Sequence, residues 1–362
     1  MKKAFLILLF LFLAIGGGSF WIRQRLKADT EEQRETRIAV ILSGSRDDRS
    51  YSQAYYDGML AYAESAGKDV VFYDCVSPED FEKTVRPVLE EGYWIIIGDH
   101  YGYEPYIEGL TETYPDVYYL IGSGTGYSAN HASFLGRVYQ ARYLSGIVAG
   151  KRTATGEIGY IIAMPIPETI RQVNAFTLGV RKVNPEAKVY VRFTNDWNDD
   201  ELAAEATNAL LDAHNIDVLS LHTNSLAPLY EADARGVYLI GNNYDNRDLF
   251  PKTYLTACVF QWESFFAERI SECERHKFTA KHYWESLKAG SVTLAPLTGN
   301  VYFATGDEVE AERRRILNGE FDVFYGPVTD IYGTVRVREG ENLPDEELLY
   351  NMHWYVDGVV VE

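Results

Sequence analysis

Cysteine is scarce in this chain of 362 residues, which contains three. Cys75, Cys258 and Cys273 lie far apart in the sequence and include no closely spaced pair. An odd count without short spacing argues against a disulfide framework and against a metal site built from thiolates. The seven histidines form no His-Glu-x-x-His motif and no pair with a cysteine. We therefore predict neither a zinc site nor another cofactor.

Basic side chains are also few, because 34 Lys and Arg stand against 53 Asp and Glu, which gives a formal net charge of −19. Residues 313–315 (RRR) form the basic cluster that rises above this background. Such a surface repels phosphate backbones, so we expect no nucleic-acid partner. Enzyme motifs are missing too: there is no Gly-x-Ser-x-Gly elbow, and residues 122–126 (GSGTG) lack the spacing of a dinucleotide-binding loop.

The N-terminus begins with residues 1–3 (MKK), followed by an uncharged run of nineteen residues that ends at Ile22. A basic start before an apolar run is typical of an export signal. Nineteen residues also suffice to span a bilayer as a helix. Cleavage after the glycines at 16–18 and retention as an anchor both stay open, although the apolar residues 20–22 favour retention. We predict that residues 1–27 are a signal peptide or membrane anchor and that the rest of the chain is extracytoplasmic.

Apolar runs alternate with amphipathic ones through the rest of the chain. Strands that alternate with helices predict a parallel sheet covered on both faces, and the alternation occurs twice. We therefore predict an α/β protein with two doubly wound lobes. The predicted strands are residues 37–42, 69–73, 94–97, 117–121, 157–162, 188–193, 217–221 and 236–240. The predicted helices are residues 52–66, 78–91, 103–114, 168–183, 200–214 and 225–234.

Aromatic and amide side chains follow several of these strands, where ligands bind in open α/β sheets. Trp197 comes directly after a strand and has four polar neighbours, which favours a binding role over a core role. Asn224, Asn243 and Asp245 follow two later strands. Their amides and carboxylate offer hydrogen-bond donors and acceptors to a ligand, although the same residue types are common in ordinary turns.

Three long segments point to a known family: residues 158–180 (IGYIIAMPIPETIRQVNAFTLGV), 319–330 (GEFDVFYGPVTD) and 354–359 (WYVDGV). Together they resemble the basic membrane protein (BMP) family, whose members capture purine nucleosides or bases outside the cell for ABC importers. The resemblance extends from about residue 37 to residue 359 and is closest to a subgroup that binds adenine or other purine bases. Shorter matching segments lie at residues 137–150, 183–185, 194–197, 222–225 and 336–340.

The resemblance implies a type I periplasmic-binding-protein fold, in which the chain crosses three times between two lobes. The crossings are expected near residues 130–133, 254–260 and 290–296. A helix over residues 262–277 should then pack back on the first lobe. By this division, lobe I comprises residues 37–132 and 258–292, and lobe II comprises residues 133–257 and 293–362.

The segment after the first strand matches a binding region of the family. By that match, Tyr51 stacks on one face of a nucleobase. Ser52 stands where the family has an asparagine, which removes an amide that could bond the base, and Gln53 could replace it. Asp47 and Ser50 also fit as caps of the following helix, so both roles stay open for this segment.

The resemblance makes Trp197 the second stacking face, opposite Tyr51, and Tyr101 matches a family turn that lines the same cleft. Arg137 matches a family arginine near a crossing and either contacts the ligand or forms an interlobe salt bridge. Trp262 stands close to the position of a ribose-binding lysine in nucleoside-binding relatives. No lysine occurs in residues 253–276, which favours a free base over a nucleoside.

Most family members are lipoproteins held by a cysteine at the end of the signal, and this chain has none there. The resemblance therefore predicts a monomeric binding protein, tethered by its apolar helix, that captures a purine base or nucleoside for an ABC permease and ATPase. It predicts no catalysis. Two alternatives stay open: a membrane-anchored sensor of a purine or other metabolite, and a nucleoside hydrolase-like enzyme. Asp47 and Asp48 alone supply too few carboxylates for the metal of such a hydrolase.

Overall fold

The computed structural model describes residues 35–362, and the predicted signal or anchor segment, residues 1–27, lies outside them. Within the described residues, no helix combines the length and the apolar character needed to cross a membrane. The strands are β1 (Ile38–Ile41), β2 (Val70–Tyr73), β3 (Ile95–Gly98), β4 (Tyr118–Gly122), β5 (Tyr127–Ser128), β6 (His131–Gly136), β7 (Glu157–Ile162), β8 (Lys188–Phe193), β9 (Val218–His222), β10 (Tyr238–Asn243), β11 (Tyr254–Phe260), β12 (His282–Glu285), β13 (Val292–Leu294), β14 (Val328–Thr329), β15 (Val335–Val337) and β16 (Val359–Val361).

Helices connect most of these strands, as the alternating sequence pattern predicts. Every strand and helix predicted from that pattern is present, and the differences are confined to the ends of the elements. The helices are α1 (Tyr51–Ala66), α2 (Phe81–Glu90), α3 (Glu104–Thr113), α4 (Val138–Arg152), α5 (Pro167–Val183), α6 (Asp200–Ala213), α7 (Ala227–Ala234), α8 (Glu263–Glu274) and α9 (Thr305–Leu317). Short helical turns cover Pro78–Asp80, Tyr101–Tyr103, Leu287–Ala289 and Glu347–Asn351.

The first sheet has the strand order β12-β6-β4-β3-β1-β2, with β5 added beside β6. Its strands are parallel except for β5. Every residue of β1 and β3 is buried. Complete burial requires cover on both faces, and it explains why these strands are continuous apolar runs and not alternating ones.

The second sheet has the strand order β13-β11-β10-β9-β7-β8-β16. All neighbours in it are parallel except β11 and β13. The strand orders of both sheets require crossover connections, which the helices provide. The predicted α/β class with two doubly wound parallel sheets is confirmed.

The chain passes between the two sheets three times. It leaves the first sheet after Gly136, returns to it after Phe260, and enters the second sheet again between Glu285 and Val292. Helix α8 packs on the first sheet, because Phe265 and Phe266 belong to the same apolar core as strands β1 and β3. The predicted lobe boundary at residues 132 and 133 falls inside β6, and we propose a boundary after Gly136 in its place.

Helices α4 and α5 approach each other unusually closely in the second lobe. A Cβ atom on Gly146 would lie 2.0 Å from the carbonyl oxygen of Phe176, and a Cβ atom on Gly179 would lie 2.0 Å from that of Tyr143. Real side chains do not fit at such distances, so glycine is required at both positions. The two helices therefore contact each other through their backbones, and residues 138–150 of α4 are all buried.

Candidate functional site

Loops at the carboxyl ends of the two sheets meet in a cleft between the lobes. Gln53, in the first turn of α1, donates a hydrogen bond from Nε2 to the Tyr244 hydroxyl at 3.2 Å. Asn243, the last residue of β10, lies 3.4 Å through its Nδ2 from the Ser50 hydroxyl. Two residues predicted to bind ligand, one from each lobe, thus lie where the lobes face each other.

Arg49 makes a second set of contacts across this cleft. Its Nε donates to Asn246 Oδ1 at 3.0 Å, and Asn246 Nδ2 donates back to the Arg49 carbonyl oxygen at 3.0 Å. Its Nη2 lies 2.5 Å from a carboxylate oxygen of Asp248, which is exposed. Asn246 is fully buried, so the amide contact is shielded from water while the ion pair is not.

Four of the cleft loops contain a residue other than glycine in the left-handed backbone region. Arg49, Ser123, Asn195 and Asn243 have φ values of 52°, 57°, 60° and 61°. Such residues cost stability, least for asparagine, and they persist where the surrounding structure holds them. Their concentration after strands of both sheets marks these loops as a candidate functional site.

Tyr51 is fixed by its hydroxyl group at the first-lobe side of the cleft. The hydroxyl contacts the Asp99 carbonyl oxygen at 2.9 Å, the Ser123 hydroxyl at 2.6 Å and the Tyr55 hydroxyl at 3.0 Å. Its ring meets Phe260 edge-on, with 6.1 Å between centroids. Burial raises the pKa of Tyr51 well above its usual range, so the hydroxyl remains protonated and hydrogen-bonded.

Ser52 lies behind the cleft surface in a buried network around Asp99. The Ser52 hydroxyl donates to one Asp99 oxygen at 2.7 Å, and the Ser43 amide donates to the other at 2.8 Å. Both Ser52 and Asp99 are buried. Burial raises the pKa of the Asp99 carboxyl to about 7. Ser52 therefore anchors the start of α1 to Asp99, at the end of β3, through its hydroxyl group.

Trp197, Glu168 and His222 are neighbours on the second-lobe side. The Trp197 ring meets His222 edge-on, with 5.8 Å between centroids. Glu168, in the first turn of α5, has Oε1 3.8 Å from His222 Nε2. Neither Glu168 nor His222 was predicted as a site residue, although His222 ends β9 and Glu168 begins the helix that follows β7.

The surroundings of Glu168 and His222 lower the pKa of both groups. Burial opposes the ionisation of Glu168, yet contact with His222 and the positive charge of Arg171 bring the pKa of Glu168 below its ordinary value. Burial lowers the pKa of His222. The negative charge of Glu168 also helps to raise the pKa of Tyr51, so this second-lobe carboxylate lies within electrostatic reach of the first lobe.

Asn224 and Asn243 lie side by side, as expected from their positions after neighbouring strands. Asn243 Nδ2 donates to Asn224 Oδ1 at 3.3 Å, and Asn224 Nδ2 donates to Asn198 Oδ1 at 3.1 Å. The Asn224 backbone amide also donates to the Trp197 carbonyl oxygen at 2.8 Å. These contacts join the predicted amides and the predicted aromatic face in one wall of the cleft.

Two predicted site residues have local partners instead. Tyr101 is 55% exposed and stacks on His100, with 4.6 Å between ring centroids. Asp245 pairs with its neighbour Arg247, whose Nε lies 2.7 Å from Asp245 Oδ2. The structure does not bring either residue into contact with the cluster around Trp197.

Arg137 and Trp262 occupy positions away from that cluster. The Arg137 guanidinium lies 3.9 Å from the ring centre of Trp284 in the first sheet and pairs with Asp345 near the C-terminus. Trp262 is 1% exposed and stacks on Phe260 within the aromatic core of the first lobe. Arg137 thus connects segments that belong to different lobes. Across residues 35–362, no three His, Cys, Asp or Glu side chains are grouped so as to hold a metal ion.

Residues 35–325 match the family of ABC transporter substrate-binding proteins described as PnrA-like, or Bmp. The chain belongs to the Bmp family. A purine-binding protein of Brucella abortus is 29% identical to it over 330 residues, covering 90% of this chain and 93% of the relative. A provisionally named ABC transporter glucose-binding protein of Haloferax volcanii is 32% identical over 288 residues, covering 80% and 71%.

A solved ABC transporter solute-binding protein from Conexibacter woesei shares the fold, with a TM-score of 0.66 at 20% identity, covering 79% of this chain and 98% of that one. The predicted family and fold are therefore confirmed. As a Bmp-family member, the protein is an extracytoplasmic substrate-binding protein, which implies a small-molecule ligand and ABC transporter partners.

Proposed function

We propose that this Bmp-family protein captures a purine base in the cleft between its lobes and delivers it to the permease and ATPase of an ABC importer. The observation that supports the proposal is that each lobe supplies one aromatic side chain beyond the end of a sheet strand. Tyr51 is held on the first lobe by three hydrogen bonds, and Trp197 stands on the second lobe against His222. Each ring can cover one face of a flat heterocycle.

Stacking and hydrogen bonding together suit a nucleobase. An aromatic pair contributes about 0.5–1.5 kcal/mol beyond the area that it buries. Asn224 and Asn243 add amide donors and acceptors beside Trp197. The relative from Brucella abortus is named as a purine-binding protein, which supports this ligand class.

A free base fits better than a nucleoside. The resemblance to nucleoside-binding relatives requires a lysine for the ribose near Trp262, and residues 253–276 contain none. Trp262 itself is buried in the first-lobe core. The cationic side chains of this segment are arginines: Arg269, which pairs with Glu272 on its own helix, and Arg275, at the end of that helix.

Binding is proposed to act through closure of the two lobes. Because each lobe supplies part of the cleft, a ligand that contacts both favours the closed arrangement over the open one. Closure also expels water from the stacking faces. The permease then recognises the closed shape.

Isothermal titration calorimetry with adenine, adenosine and glucose tests the proposed ligand class. Adenine should bind more tightly than adenosine, and glucose, the ligand in the name of the Haloferax relative, should not bind. Absence of purine binding, or tighter binding of adenosine, would contradict the proposal. Mass spectrometry of ligand extracted from natively purified protein provides an independent check.

We further propose that residues 1–27 stay attached and tether the protein to the membrane. The signal contains no cysteine for lipidation, so globomycin should leave its processing unchanged. The intact mass of membrane-extracted protein should include these residues. A mature N-terminus near Ser19 would show cleavage instead.

A further inference from the structure

Glu168 presents a carboxylate to the cleft from the second residue of α5. Its side chain is 34% exposed, whereas His222 beside it is 8% exposed. Within the described part of the chain, no Lys or Arg nitrogen lies within 4.0 Å of this carboxylate, and the contact at that range is with the His222 ring. The carboxylate thus retains accessible oxygens that no cationic side chain occupies.

His222 connects this carboxylate to the aromatic wall. One edge of its ring faces Glu168, and Trp197 packs against the ring. The other ring nitrogen, Nδ1, is buried without a hydrogen-bond partner among the residues that the structure describes. The stacking face and the carboxylate therefore both adjoin the His222 ring, on the second-lobe side of the cleft.

A second acceptor lies one helical turn beyond Glu168. Gln172 is 1% exposed, and its Oε1 has no hydrogen-bond partner within residues 35–362. Residues four apart lie on the same face of a helix. The face of α5 that carries Glu168 thus also holds a buried oxygen acceptor without a donor.

An ionised carboxylate accepts hydrogen bonds and cannot donate them. The charge of Arg171, whose side chain is buried in the same helix, favours the ionised form of Glu168 without occupying its oxygens. A ligand edge that carries N–H groups matches such a group through charge-assisted hydrogen bonds. A ligand edge that carries a carbonyl oxygen instead places that acceptor against the carboxylate oxygen, which is also an acceptor.

We propose that Glu168, oriented by His222, determines ligand specificity by accepting a hydrogen bond from the exocyclic amine of an aminopurine, and so selects 6-aminopurines over 6-oxopurines. This inference rests on the proposed function, because it requires a purine in the cleft. It names the residue that distinguishes the two classes of purine. Stacking alone cannot distinguish them, because the rings of 6-aminopurines and 6-oxopurines stack equally well. Loss of one charge-assisted hydrogen bond typically lowers affinity by about 10- to 100-fold.

Calorimetry of three purines on three proteins tests this role. The ligands are adenine, hypoxanthine and unsubstituted purine, and the proteins are the wild type, Glu168→Gln and the control Glu201→Gln. Glu201 is exposed in the first turn of α6, so the control removes the same charge at a matching helix position. Thermal unfolding verifies that each variant is folded.

The wild type should prefer adenine to hypoxanthine by about 10-fold or more, the lower end of the value for one charged hydrogen bond. Glu168→Gln should lose that preference while binding unsubstituted purine within about twofold of the wild type, because stacking is unchanged. Glu201→Gln should behave as the wild type. If Glu168→Gln does not fold, Glu168→Asp, which keeps the charge on a shorter side chain, should bind adenine more weakly yet still prefer it to hypoxanthine.

The outcomes separate the two proposals. An unchanged preference for adenine in a folded Glu168→Gln protein would overturn the role of Glu168 and leave purine binding intact. Failure of the wild type to bind any of the three ligands would overturn both. A wild type that binds hypoxanthine as tightly as adenine would overturn the selectivity alone.

Discussion

Replacing Asp99 by asparagine should change how stability depends on pH. Asp99 is fully buried at the carboxyl end of β3, and its two oxygens accept hydrogen bonds from the Ser43 amide and the Ser52 hydroxyl. Asparagine preserves both contacts, because its oxygen accepts from the amide and its NH₂ group donates to the hydroxyl oxygen. The substitution therefore removes the titration with little change in shape.

The magnitude follows from the pKa of Asp99. Burial raises it from an ordinary value of 3.8 to about 7 in the folded protein. The folded state thus binds this proton more tightly than the unfolded state, so the contribution of Asp99 to stability is fully present below pH 3.8 and is lost as the pH rises through 7. A pKa difference of this size corresponds to a free energy on the order of 4 kcal/mol.

Urea unfolding of the wild type and Asp99→Asn at several pH values from about 4 to about 8 measures this effect, because that range spans the titration between the ordinary pKa of 3.8 and the raised pKa of about 7. The variant should gain stability relative to the wild type as the pH rises, by up to about 4 kcal/mol across the range. Asp69→Asn, which alters an exposed carboxylate, is the control and should leave the pH dependence unchanged. A stability difference that is constant with pH, or that changes in the opposite direction, would refute the reasoning.

Three further predictions concern the cleft and the second lobe. Trp197→Ala should weaken the free energy of purine binding by about 2–4 kcal/mol, or roughly 30- to 1000-fold in affinity, and Trp197→Phe should weaken it much less, as measured by calorimetry. Normal affinity combined with a lower melting temperature of the Ala variant would show that Trp197 is a core residue. Arg49→Ala should weaken ligand binding by less than about 10-fold, because its ion pair with Asp248 is exposed to solvent. The ligand affinity measured in low salt and in high salt should differ less for the variant than for the wild type. Gly146→Ala should lower the melting temperature because its Cβ atom would meet the Phe176 carbonyl oxygen at 2.0 Å, whereas Gly109→Ala in α3, with no atom within 4 Å, should not.

The central strands could be predicted from the sequence because burial on both faces produces continuous apolar runs. Strands β1, β3 and β7 are of this kind and contain few or no exposed residues. The short strands β5 and β14 have two residues each and leave no periodic pattern to recognise. Each is defined only by its pairing with the next strand, β5 with β6 and β14 with β15, and two residues are too few to signal that pairing in the sequence.

The cleft was predictable only as far as strand order determines it. Asn224 and Asn243 were both predicted to follow second-lobe strands, and they meet because those strands, β9 and β10, are parallel neighbours. Asp245 and Tyr101 also follow strands, yet an adjacent arginine and an adjacent histidine provide nearer partners. Glu168 gives the opposite case, because it lies on α5 and its neighbour His222 lies on β9, far away in the sequence, so their contact becomes visible only in three dimensions.

The backbone contact between α4 and α5 has a mechanical consequence. Helix α4 begins immediately after Arg137, where the chain first leaves the first sheet, and α5 begins at the turn that carries Glu168. With no side chains between Gly146 and Gly179 to repack, we expect the two helices to move together when the lobes open. The Glu168 carboxylate would then keep its surroundings within the second lobe. Under the role proposed for Glu168, substitutions at the crossing are therefore expected to change how the lobes open without changing which ligand is chosen.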